Sequence, residues 1–114
     1  MAELKDLKVS IRLSVYNPES DSKSVFGKGI SDLCMGVRET GSLNAAAKRM
    51  HMAYSKAWRI IKDTEAALGM DLLIRDGAHG SVLTDDANTL LDAYNAICDE
   101  LSQEAAQLYK EETE

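Results

Sequence analysis

Between positions 48 and 62 the chain places Lys48, Arg49, Lys56, Arg59 and Lys62, interleaved with Tyr54, Ser55 and Trp58. The planar fork of an arginine can pair bidentately with guanine. A lysine ammonium neutralises phosphate, and hydroxyls hydrogen-bond to backbone oxygens. These residue types bind a polyanion and read base edges; they do not build a covalent catalyst. The rest of the sequence offers no enzyme either. It has two histidines, His51 and His79, in separate loops, no paired carboxylates in an apolar setting and no activated nucleophile. Zinc needs several ligands at close spacing, so neither metal nor cofactor is expected. The FGKG run at 26–29 lacks the spacing of a phosphate-cradling loop.

Net charge is −6, which by itself argues against a nucleic-acid partner. The distribution reverses that reading. Residues 42–75 carry six basic and three acidic side chains, whereas residues 84–114 carry nine acids and one lysine. Positive charge is gathered on the segment that holds the polar cluster, and the acidic end is a solvated face.

Those side chains need two helices to present them. Gly41 ends a helix over about 30–40, whose Ile30, Leu33, Cys34 and Val37 share one face. Ser42 is a natural N-cap for the next helix, where Ala45, Ala46 and Ala47 give a flat packing surface. His51-Met52-Ala53 forms the turn, with His51 at a position that commonly takes positive φ and that histidine tolerates. A second helix runs from Tyr54 to Leu68, with Ala57, Ile60, Ile61, Thr64, Ala67 and Leu68 at helical spacing, and Gly69 stops it. In such a helix-turn-helix the second helix enters the major groove by its N-terminal residues. Arg59 is the best base-contact candidate, beside Tyr54 and Ser55. Lys56, Lys62, Lys48 and Arg49 suit phosphates, and Ser42 with the amides it caps suits another. Trp58 either packs in the core or flanks the groove, and burial is the commoner fate of tryptophan.

Outside that unit, Val9, Ile11, Leu13 and Val15 alternate with polar residues, predicting a half-buried strand, with a short return at Val25-Phe26. An apolar run over 70–74, a turn over 76–81 (Gly77, His79, Gly80) and Val82-Leu83 predict a wing hairpin. Thr84, followed by Asp85 and Asp86, starts a last helix of about 25 residues, roughly 37 Å long. Its Ala87, Leu91, Tyr94, Cys98, Leu101, Ala105 and Leu108 keep a heptad seam, with Leu90 and Ile97 beside it. A helix with two apolar stripes packs one on its own domain and one on a partner, so a homodimer is expected through Leu91 to Leu108. Cys34 and Cys98 read as reduced, buried small hydrophobes. No segment is apolar enough to span a membrane, and the N-terminus lacks a signal-peptide core, so a cytoplasmic location is expected.

The set GSLNAAAKRM, YSKAW, LGMDLLIRD and VLT, with FGKG ahead of it, resembles the N-terminal winged-helix domain of ModE-type molybdate-responsive regulators. It is similar, more distantly, to the LysR-type DNA-binding domain. The resemblance covers about residues 8–105. It implies a dimeric winged helix with its recognition helix at 54–68, its wing at 76–81 and its dimer element in the last helix. Ala53 stands where that family usually has a capping serine, and Asn88 where it usually has glycine. A molybdate-binding domain commonly follows in that family. This sequence ends at Glu114 without one, so oxyanion sensing is not expected.

The expected fold is mainly α with a small β-sheet: a winged helix-turn-helix in one domain over 1–114. An N-terminal strand region (1–26) precedes the helix-turn-helix and wing (27–83), and a long dimerisation helix with an acidic tail follows (84–114). The expected function is a sequence-specific regulator binding double-stranded DNA as a homodimer. The alternatives are a winged-helix adaptor for another protein, or a DNA-binding subunit working with a separate effector-sensing partner.

Overall fold

The computed structural model describes residues 1–78 and 80–114; His79, expected in the wing turn, lies outside the described residues. Three helices, α1 (Lys28–Thr40), α2 (Leu43–Arg49) and α3 (Tyr54–Leu68), precede a hairpin of β1 (Leu73–Asp76) and β2 (Gly80–Leu83). A long helix, α4 (Asp85–Thr113), closes the chain. The hairpin is antiparallel, pairing Leu73 with Leu83 and Asp76 with Gly80, so its strands extend into what the sequence marks as turn. With the long last helix, these elements make the expected winged helix-turn-helix.

Local chemistry explains each boundary. Gly41 takes a left-handed conformation (φ 74°) to end α1, and its amide returns to Val37 O. One residue on, the Ser42 hydroxyl accepts from Ala45 N and starts α2. The tight α1–α2 corner depends on Gly36, where a Cβ would sit 2.6 Å from the Cβ of Ala46. His51 has the expected positive φ of 55°. Thr84 caps α4 by accepting from Ala87 N, while its own hydroxyl donates to Asp71 O. A single core gathers Phe26, Leu33, Cys34, Val37, Ala47, Ala57, Ile61, Leu72, Leu83 and Leu91 from all four helices and the wing.

The N-terminal strand expectation needs correcting. Val9 and Ile11 are exposed, and only an isolated antiparallel bridge joins Val15 to Phe26. Among the described residues no neighbouring strand pairs the rest. Helix α4 takes that place: Tyr94 Oη donates to Leu13 O at 3.1 Å, and Tyr109 Oη to Leu4 O at 2.7 Å. The segment therefore runs along α4, with a short 3-10 turn at Leu4–Asp6. Phe26 seals the bridge by an edge-on contact with Tyr94, ring centroids 5.4 Å apart.

The heptad seam of α4 divides. Leu91 and Tyr94 are buried in the chain's own core, which withdraws them from any partner surface. Cys98 is half-buried, and beyond it α4 has no buried residue. Leu101 and Leu108 are exposed, together with Ile97, Leu4 and Leu7, while Ala105 is half-buried. At 29 residues α4 is longer than expected. Its ~43 Å length carries the distal half past the body of the domain. Cys34 is fully buried, and desolvation pushes its thiol pKa up to about 12, so it behaves as a packing group rather than a nucleophile.

Candidate nucleic-acid interface

The apolar face of α3 fixes the direction of its polar face. Ala57, Ile61, Thr64 and Ala67 are buried, which turns Tyr54, Ser55, Lys56 and Arg59 outward. Among the described residues, no ion pair holds Lys48, Lys56 or Arg59. The N-terminus of α3 is bare as well: Ala53 occupies the cap position in an extended conformation and provides no side-chain hydrogen bond. Its first amides are left for solvent or for an incoming acceptor.

The other expected residues are more engaged. Arg49 donates to Glu39 at 3.3 Å, both groups about half exposed, a contact of small weight in water. Ser42 spends its side-chain oxygen on its own helix cap. Lys62 sits 4.6 Å over the ring of Trp58 and 3.2 Å from the carboxylate of Glu65, so it is the least available of the five basic groups. Trp58 is half-buried, packing against the core as favoured from the sequence while also lining a surface hollow.

That hollow, about 430 Å³ in volume, lies among the start of α2, α3 and the wing, and its lining includes Ser42, Asn44, Tyr54, Trp58, Arg75 and Ser81. The wing is fastened beside it by Ser81 N donating to Gly41 O at 2.9 Å. A Cβ at Gly80 would collide with the carbonyl oxygen of Asp76, so glycine is required for this close hairpin closure. Gly77 supplies the positive φ of 75° in the turn. Arg75, exposed on β1 opposite Ser81, is a basic group that the sequence reading left out. The available signal was its place directly after the apolar run over 70–74, two residues from Leu73 and so on the same strand face.

A buried carboxylate was also missed. Glu65 is only 7% exposed, and its Oε2 accepts from Leu72 N at 2.7 Å and Leu73 N at 3.3 Å. Its position four residues after Ile61, on the buried stripe of α3, was the signal. Among the described residues, no three histidine, cysteine or acidic side chains converge as metal ligands do.

The geometry agrees with known proteins. Residues 33–88 match the family model described as the bacterial regulatory helix-turn-helix protein, lysR family. No curated protein matches the chain. A crystal structure of the CbnR DNA-binding domain in complex with DNA is 28% identical with a TM-score of 0.60, the match covering 75% of this chain and 97% of that one. A crystal structure of CbnR, a LysR family transcriptional regulator, is 29% identical with a TM-score of 0.56 over 67% of this chain. The match spans only 26% of that CbnR chain. The segment from within α1 through the wing to the start of α4 is thus similar to helix-turn-helix domains of the LysR type.

Proposed function

We infer that this chain is a DNA-binding transcription regulator that seats α3 in the major groove of double-stranded DNA. The observation that carries the reading is the outward N-terminal half of α3. There Lys56 and Arg59 stand without ion-pair partners among the described residues, on a scaffold shared with a domain solved in complex with DNA. Arg59 reads a base edge, and Lys56 and Lys48 meet phosphates. Tyr54 and Ser55 contact the backbone from the first turn of α3. Arg49 and Lys62 contribute only after leaving Glu39 and Glu65. Arg75 reaches the strand that passes between α3 and the wing.

The chain acts as a homodimer in this reading, through the distal half of α4. Leu101 and Leu108 support it, since they stand exposed on a helix that has left its own core, beside exposed Leu4 and Leu7. The likeness to ModE-type regulators in FGKG and YSKAW adds support for the same reading, because Phe26 anchors the core and YSKAW opens α3 with Tyr54, Ser55 and Lys56 exposed. Among the described residues no helix is long and apolar enough to cross a membrane. A cytoplasmic site of action fits a regulator of this kind.

Selection of bound duplexes from a random pool tests the reading. Enrichment of a two-fold-related motif, with half-sites about 34 Å apart or a multiple of that, is the expected result. A pool that stays unenriched contradicts sequence-specific binding and favours an adaptor that docks another protein.

A further inference from the structure

Glu65 is an unusual residue for its place. It lies in the last turn of α3, where the helix dipole disfavours negative charge, and it is almost wholly buried. Burying a carboxylate is costly unless it is paired and hydrogen-bonded. Here both oxygens are used: Oε2 by the amides of Leu72 and Leu73 at the foot of the wing, Oε1 by Lys62, which in turn covers Trp58. Trp58, Lys62 and Glu65 follow one another at four- and three-residue spacing, so they form one stripe of α3 directed at the wing. An apolar residue could fill the volume, but it could not hold two consecutive backbone amides in a fixed direction.

We propose that Glu65 is a positioning residue for DNA recognition: it sets the angle between α3 and the wing, so that Arg59 and Arg75 address the same duplex. This rests on the DNA-binding reading above. The wing has two other fastenings that do not involve α3. Ser81 N donates to Gly41 O, and Thr84, directly after β2, caps α4 by accepting from Ala87 N. Loss of the Glu65 contacts therefore leaves the hairpin attached but frees its inclination relative to α3. The hollow between Trp58 and Arg75 loses its defined width at the same time.

Footprinting on a selected duplex separates this role from general stability. Methylation protection of guanines reports α3 in the major groove, and hydroxyl-radical cleavage reports the backbone beside the wing. Wild-type protein protects both regions. Glu65→Ala is expected to keep the guanine protection, lose the wing-side protection and bind about tenfold more weakly. Glu65→Gln, whose carbonyl oxygen can still accept from both amides, restores both protections. Parallel loss of both protections in Glu65→Ala, or loss of neither, overturns the proposal. Should Glu65→Ala fail to fold, Glu65→Asp keeps the charge on a side chain one methylene shorter. It is expected to show the same selective loss, and full wing-side protection by it overturns the proposal. A wild-type protein that leaves no footprint overturns the underlying DNA-binding reading instead, together with this proposal.

Discussion

The two halves of α3 are built on opposite plans. From Ile61 to Gly69 every kind of fastening is present. Ile61, Thr64 and Ala67 are buried, the Thr64 hydroxyl donates to Ile60 O, Glu65 grips the wing, and Asn17 Nδ2 donates to the O of Leu68, the last residue of the helix. From Tyr54 to Arg59 the helix has no side-chain cap, and its cationic groups have no ion-pair partners among the described residues. The lesson is a division of labour along one helix. The distal half fixes where the helix points, and the proximal half keeps its donors and charges for something outside the chain.

That contrast can be broken from either side. Ile61→Ala removes a fully buried side chain from the fixed half and is expected to cost about 2–5 kcal/mol of stability in urea unfolding. A loss below about 1 kcal/mol would mean that the distal half is not the foundation. Leu101→Glu places charge on the exposed seam of α4 and is expected to convert a dimer to monomers in sedimentation, with the helix-turn-helix still folded. An unchanged dimer would remove the distal seam from the account. Arg59→Ala, in the free half, should weaken binding to a selected duplex by about 1–3 kcal/mol while changing random-duplex binding much less. Equal losses on both would make Arg59 a phosphate contact. Ala53→Ser supplies the missing cap and should raise stability by about 1 kcal/mol in the same urea assay. No gain would show that the bare helix start is already satisfied within the chain.

Much of this plan was legible in the sequence, for a physical reason. Helix limits are set by neighbouring residues: Gly41 and Gly69 in left-handed conformations, Ser42 and Thr84 as caps, His51 at positive φ. Those local rules gave α3 from Tyr54 to Leu68 and the hairpin after it. What depended on distant partners was harder to read. The alternation from Val9 to Val15 looks like a strand, yet a strand needs a neighbour, and two tyrosine hydroxyls of α4 accept that role for only two carbonyls. The heptads of α4 did not say where the chain's own core stops, which lies between Tyr94 and Leu101. Glu65 was hidden because composition counts it among the acids, whereas its environment makes it part of the wing's foundation.

Salt dependence of duplex binding tests the central claim most directly. Each phosphate neutralised by a lysine or arginine contributes about −0.9 to the slope of log Kobs against log salt. A steep fall is expected for the wild-type protein, and a slope shallower by about one for each Lys56→Ala head engaged on the duplex. No retention on duplex DNA even at about 50 mM salt, or a slope that Lys56→Ala leaves unchanged, would contradict it.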